Sequence, residues 1–475
     1  KLEQRSHRTP EPTPQSATET AELRRQLSEI EEQLAELIIA ETLNEDEFEA
    51  PTQTADEAFE IVIIHIARQG SGYSISLVGD AGIAQAALVP SEAQLEELAG
   101  LARRRLDEVV NTQVGGQFVY QSERTSIEPE VYAQSLRTLA EAGSFLYHQL
   151  FFGPGSGEDS HALGNQLREL SQRARLRITI ISERVFLPWA LLYDGPPSPS
   201  EAVNPENFWG FRHVIECQLP STSANLPAIA SGALITPDST LELAFVGDNG
   251  LDNQLAQPVV EQQRASLSAL PNVRLQDYSN VSDLYRLLSD SSMATDVIYI
   301  YALMLGNSDA DADDTRICLG DEQIMLTELR ARLSIEPLTG RPFVFMNAQR
   351  LLSADPTQTD SFVPYFLQRG ARAVLGGEAS LPVFFAAQFG MEFVSRFVAG
   401  EESAGNLLLA LRRAYLTQRR NVLGLLYALY GHADARVKRS APGPSNVAFD
   451  EEEFDPESFD FQDFGSEADN HPPIF

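Results

Sequence analysis

Two apolar runs in this chain end in residues whose types decide what chemistry is available. Phe343, Val344, Phe345 and Met346 form an unbroken hydrophobic run after Pro342 and lead into Asn347-Ala348-Gln349-Arg350. Residues 296–305 (DVIYIYALML) form a second run, and its exit carries Ala302, Leu303 and Met304. Runs of this kind read as strands buried on both faces of a parallel sheet. Open α/β sheets place their chemistry at the carboxyl ends of such strands. A nucleophile and a base are expected at two such exits. The chain supplies an amide and hydrocarbons.

The other reactive side chains are scattered. Cys217 and Cys318 lie in apolar surroundings without zinc spacing and read as buried free thiols, which fits a reducing, cytoplasmic setting. The seven histidines are His7, His65, His148, His161, His213, His432 and His471, and none falls at an exit of the second-half strands. His432 follows the last helix and reads as a surface residue. Asp309, Asp311, Asp313 and Asp314 form an acidic loop. Alternate aspartates can chelate Ca²⁺, but Gly320 stands where an EF-hand needs its twelfth-position glutamate, so the loop reads as solvated and no metal is expected. Gly-x-Ser-x-Gly, His-Glu-x-x-His and a phosphate-binding loop are absent from the sequence. No cofactor is expected.

The elements that must position these exits follow from pattern. The chain has 475 residues, enough for two or three domains, and 43% of them are hydrophobic. Acids outnumber bases 68 to 35, a net charge of −33, and only Lys1 and Lys438 are lysines. A surface of that sign repels phosphate, so neither nucleic acid nor an anionic membrane is an expected partner. No apolar stretch of membrane-spanning length is present.

Residues 1–52 comprise a polar start, a short heptad helix and an acidic linker. Leu23, Leu27, Ile30, Leu34 and Leu37 step by four, three, four and three, flanked by Arg24, Glu29, Glu31 and Glu36. A seam this short needs something to lie against, either its own domain or a partner. Residues 53–230 read as an α+β subdomain. It contains a hairpin over 59–77, a short third strand at 86–89, helices over 91–109 and 129–151, and a strand over 176–182. Trp189 and Trp209 read as structural anchors. Residues 231–440 alternate strand and helix, which argues a mostly parallel sheet with helices on both faces. Its first strand leaves at Gly247-Asp248-Asn249-Gly250. Residues 441–475 carry ten acids and no Lys or Arg, with Phe454, Phe459, Phe461 and Phe464 spaced among them. Such a tail forms no core of its own, but its aromatics can dock into a groove.

Several blocks together resemble the CHAT domain, a bacterial branch of the caspase-like cysteine peptidases, over residues 55–436. They are Pro188-Trp189-Ala190-Leu191-Leu192-Tyr193-Asp194-Gly195, where the family usually has Glu in place of Ala190, and Phe208-Trp209-Gly210-Phe211-Arg212. Phe345-Met346-Asn347-Ala348, Gly370-Ala371-Arg372-Ala373-Val374-Leu375-Gly376 and Leu426-Tyr427-Ala428-Leu429-Tyr430-Gly431 complete the set. The resemblance implies a caspase-like α/β fold. It also implies that the first exit should end in Cys-His-Gly, with His as base, and the second in Asn-Ala-Cys, with Cys as nucleophile. Here Leu303 stands for the base and Gln349 for the nucleophile. Neither holds a proton in relay nor attacks a carbonyl. The expectation is a pseudo-peptidase, a scaffold or regulatory subunit bound to an active peptidase or sensor in a defence-type system. The heptad residues and the tail phenylalanines would be its contact elements. An active enzyme with another site, and a homo-oligomer or polymer built through helix and tail, are the alternatives.

Overall fold

The computed structural model describes residues 59–69, 72–79, 82–88, 90–182, 187–195, 202–219, 233–237, 239–290, 294–305, 315–333, 336–350, 362–400 and 402–439. The heptad residues Leu23, Leu27, Ile30, Leu34 and Leu37, the acidic loop 309–314 and the tail residues Phe454, Phe459, Phe461 and Phe464 lie outside them.

The first half runs β1 (Glu60–Gln69), β2 (Gly72–Gly79), β3 (Gly82–Leu88), α1 (Glu92–Val110), β4 (Gln113–Val114), β5 (Gln117–Phe118), α2 (Pro129–Phe151), α3 (Glu158–Arg173), β6 (Leu176–Ser182), α4 (Trp209–Arg212) and β7 (Val214–Gln218). The second half opens with β8 (Leu234–Ile235), β9 (Leu241–Gly247), α5 (Gly250–Leu255), α6 (Val259–Ser268), β10 (Val273–Tyr278), α7 (Val281–Ser289), β11 (Val297–Tyr301) and β12 (Leu303–Leu305). It continues through β13 (Arg316–Leu319), β14 (Glu322–Met325), α8 (Leu326–Arg332), β15 (Phe343–Met346), β16 (Gln349–Arg350), α9 (Phe362–Gln368), β17 (Ala373–Gly377), α10 (Val383–Ala399), α11 (Ala404–Arg419), β18 (Tyr427–Gly431) and β19 (Arg436–Val437).

One sheet of eleven strands organises both halves, in the order β10-β9-β11-β15-β17-β18-β7-β6-β1-β2-β3. Neighbours are parallel except at β17–β18, β1–β2 and β2–β3. The architecture is α/β, a mostly parallel sheet with helices on both faces. Every residue of β11 and of β15 is buried, which is why both sequences are unbroken apolar runs rather than alternating ones. No helix among the described residues is long and apolar enough to cross a membrane.

Side-chain caps mark some of the helix starts. Ser91 closes a capping box with Gln94 at the start of α1, and Ser403 caps α11. Helix α3 does not announce itself by hydrophobic period. Its buried face is Ser160, Leu163, Gly164, Leu167 and Ser171. A side chain at Gly164 would lie 2.6 Å from Phe151 Cβ, so glycine is what lets α3 close on α2.

Two buried side chains stitch these layers. The Arg412 guanidinium on α11 donates to Gly424 O (3.1 Å), Gly210 O (3.2 Å) and Tyr427 O (2.5 Å). It therefore ties α11 to the Trp209-Gly210-Phe211 turn and to β18, and burial lowers its pKa to about 10. His213, fully buried, accepts from Leu176 N at Nδ1 (3.0 Å) and meets Ser171 Oγ at Nε2 (2.8 Å). Because a backbone N–H points at Nδ1, the proton resides on Nε2 and the ring is neutral. Burial first, then the charges of Arg212 and Arg175, hold its pKa down at about 3. His432 lies after β18 rather than after a helix and is half-buried, with its N–H donating to Arg372 O.

His213 gives the fold an acid-labile point. The unfolded chain protonates this ring below about pH 6.5, whereas the native ring stays neutral down to about 3, so stability falls as pH drops through that window. In urea titrations at pH 7 and pH 5, the His213→Gln variant should lose about 2 kcal/mol less than the parent over that interval. Identical losses would show that His213 does not carry the effect.

Candidate functional site at the strand ends

Strand β15 is parallel to β11, with Ile300 opposite Met346, so the two exits lie side by side. The first residue past β15 is Asn347, which is fully buried. Its amide is saturated. Nδ2 donates to Tyr299 Oη (3.0 Å) and to Ala386 O (2.6 Å), and Oδ1 accepts from Tyr427 Oη (2.7 Å). Tyr299 Oη in turn donates to Gln263 Oε1 (2.7 Å). One amide thereby joins β15, β11, β18, α6 and α10. Burial raises the hydroxyl pKa of both tyrosines, so they remain neutral donors. Gly390 on α10 passes beside this network, where a Cβ would overlap Tyr299 Oη and Asn347 Nδ2.

Beyond the large sheet the chain builds a second one. The run read as one strand over 296–305 breaks at Ala302, and β12 turns into a four-stranded sheet ordered β14-β13-β12-β16. In this sheet Leu303 pairs with Gln349 in parallel register and with Cys318 in antiparallel register. Cys318 pairs in turn with Gln323. The two positions singled out by sequence are therefore direct neighbours, and a thiol lies opposite one of them. Ile324, Ile317 and Met304 form the adjoining row and are buried.

Asp248, at the end of β9, anchors this sheet to the large one. It is buried, and Oδ1 accepts from Gly320 N (2.7 Å) and Gly250 N (2.9 Å). The carboxylate also accepts from the Leu303 backbone N–H. Its own N–H donates to Tyr301 O (3.0 Å). Burial raises the carboxyl pKa of Asp248. Burial, then the Asp248 charge, raises that of the Cys318 thiol. A thiol so placed stays protonated and is a poor nucleophile. The described histidines lie on β1, α2 and α3, before β7 and after β18, and none on this sheet or at the two exits.

At the exit of β17 a third buried group appears. Glu378 pairs with Arg103 of α1 (2.9 Å) and accepts from Tyr430 Oη (2.5 Å), while Ser380 N donates to Asp107 of the same helix (3.0 Å). Helix α1 is thus bolted to the end of β17. Among the described residues no group of three or more His, Cys, Asp or Glu could hold a metal ion.

The sequence pointed to Leu303 and Gln349, and the structure pairs them. It did not reveal Cys318 as a neighbour, since that contact comes from the antiparallel pairing of β12 with β13. Asp248 was legible only as part of a polar strand exit, not as the acceptor of three main-chain N–H groups.

Comparison with known proteins adds little. No family model matches the chain, and no curated protein matches it. Two crystal structures of the Saccharomyces cerevisiae separase–securin complex are similar, each with a TM-score of 0.39 and 10% identity. In both, the match covers 80% of this chain but 30% of the other.

The Asn347 network sets a measurable cost. Gly390→Ala should lower the unfolding free energy by about 2 kcal/mol or more, from overpacking plus a disrupted buried hydrogen bond. Chemical denaturation checks this, and a change below about 0.5 kcal/mol would mean the network is not tight.

Proposed function

We propose that this chain is a non-catalytic binding protein on a caspase-like scaffold, acting by contact rather than by cleavage. The observation that carries the reading is the register of Leu303 with Gln349 at the two strand exits. These are the positions where the CHAT resemblance places base and nucleophile, and neither residue type can serve. Cys318 is the one thiol at the site among the described residues, and its raised pKa, with no described imidazole at the exits or on the small sheet, supports the same reading.

In this reading the protein is a cytoplasmic scaffold or regulatory subunit for an active peptidase or a sensor of a bacterial defence-type system. The seam Leu23, Leu27, Ile30, Leu34 and Leu37 and the aromatic tail Phe454, Phe459, Phe461 and Phe464 are its contact elements. The net charge of −33 disfavours nucleic acid and anionic membrane as alternatives.

Purified full chain incubated with a broad peptide library should give no cleavage above the blank, and Gln349→Ala and Cys318→Ala should behave identically. Cleavage that is blocked by a thiol alkylator and abolished by Cys318→Ala would overturn the proposal. A protein partner captured by the full chain should be lost when residues 441–475 are removed. Its retention would take the tail out of the contact surface.

A further inference from the structure

The two edges of the large sheet are built differently. Edge strand β10 is interrupted by charge. Arg274 and Asp277 are exposed along it, paired with Glu242 (2.6 Å) and Arg264 (3.0 Å), and Pro271 precedes it. Such residues discourage another strand from adding to an edge. Edge strand β3, Gly82-Ile83-Ala84-Gln85-Ala86-Ala87-Leu88, has no charge and no proline over its length, in a chain that is 22% charged. Among the described residues its only strand neighbour is β2.

An apolar row also runs out to this edge. Ile63, Val78 and Ile83 are cross-strand partners on β1, β2 and β3. Ile63 and Val78 are each 7% exposed, whereas Ile83 is 53% exposed. The row ends in water at the point where a further strand would cover it. Ala84 is half-buried and Ala86 buried, so the alternate positions of β3 face the core and the Ile83 and Gln85 positions are left open.

We infer that β3 is a self-association edge, at which two copies of this chain pair their β3 strands antiparallel about a two-fold axis. The strand is self-complementary in that arrangement. With Gln85 at the axis opposite its own copy, Ile83 falls opposite Ala87, Ala84 opposite Ala86 and Gly82 opposite Leu88. The exposed Ile83 gains a cross-strand neighbour from the second copy, and two carboxamides, each both donor and acceptor, meet each other. An antiparallel pair needs no crossover and continues the β1–β2–β3 meander across the axis. A second copy is favoured over an unrelated strand because this register uses no residue outside β3. The inference does not depend on whether the chain cleaves peptides.

The two copies also repel, each carrying a net charge of −33. Pairing through a neutral edge should therefore strengthen with salt, as the Debye length falls from ~10 Å at 0.1 M to ~3 Å at 1 M. Sedimentation of the full chain over a concentration series at these two salts should show a dimer favoured by the higher salt. Ile83→Lys and Gln85→Lys, at exposed positions, should each weaken it about tenfold or more, although each lowers the net repulsion. Gln85→Cys should form a disulfide-linked dimer, because residue 85 is its own partner, and Ile83→Cys should not. A chain monomeric at both salts, a dimer indifferent to both lysines, or cross-linking no better at 85 than at 83 would each overturn the inference.

Discussion

The carboxamide of Asn347 is the interaction on which the centre of this molecule depends. A buried amide is tolerated only when its donors and acceptor are matched, since each orphaned group costs about 1–3 kcal/mol. Here both N–H groups and the carbonyl are matched, by two tyrosine hydroxyls and one helix carbonyl. The matching partners come from β11, β18 and α10, and Gln263 of α6 ends the chain as acceptor of the Tyr299 hydroxyl. A polar residue at the end of an apolar strand would otherwise weaken the core. Instead it fixes where β11 and β15 end relative to each other, and so where Leu303 and Gln349 can meet. Gly390 is the steric counterpart of this arrangement, leaving the space that the two polar groups occupy.

The same logic operates with charge at longer range. Arg412 is enclosed among three carbonyls, and Glu378 is held between Arg103 and Tyr430. Such groups are retained where removing one partner would strand the other, a larger penalty than the pair's net contribution. Both span distant parts of the sequence: Arg412 reaches back to Gly210, and Glu378 to Arg103. The single sheet that passes from β18 to β7 is thus reinforced on its flanks by contacts that cross between the halves of the chain.

Much of the architecture was legible before the structure. Fully buried strands showed as apolar runs at 297–301 and 343–346, and the helix after Ser91 showed by its period. The run over 296–305 was legible as apolar but not as broken, because the break at Ala302 changes which sheet the chain joins without changing its hydrophobicity. Helix α3 was missed because Ser160, Gly164 and Ser171 occupy buried positions where a hydrophobic period is sought. The strand expected at 86–89 extends over Gly82–Leu88, since its alanines and glycine carry little strand signal. The positions Leu303 and Gln349 were singled out by resemblance, and the structure makes them cross-strand neighbours. Their neighbours Asp248 and Cys318 were not, because one contact reaches back to the end of β9 and the other depends on the register of β12 with β13.

The pairing of Leu303 with Gln349 is made by main chain. Strand pairing joins those two residues and the Asp248 carboxylate accepts from the Leu303 N–H, and these are backbone contacts of either residue. Backbone contacts thereby set the register at both positions. Substitutions that add or remove a reactive group there alter little of what keeps the backbone in place. The register of the two strand exits can therefore persist through a change of residue type at either position.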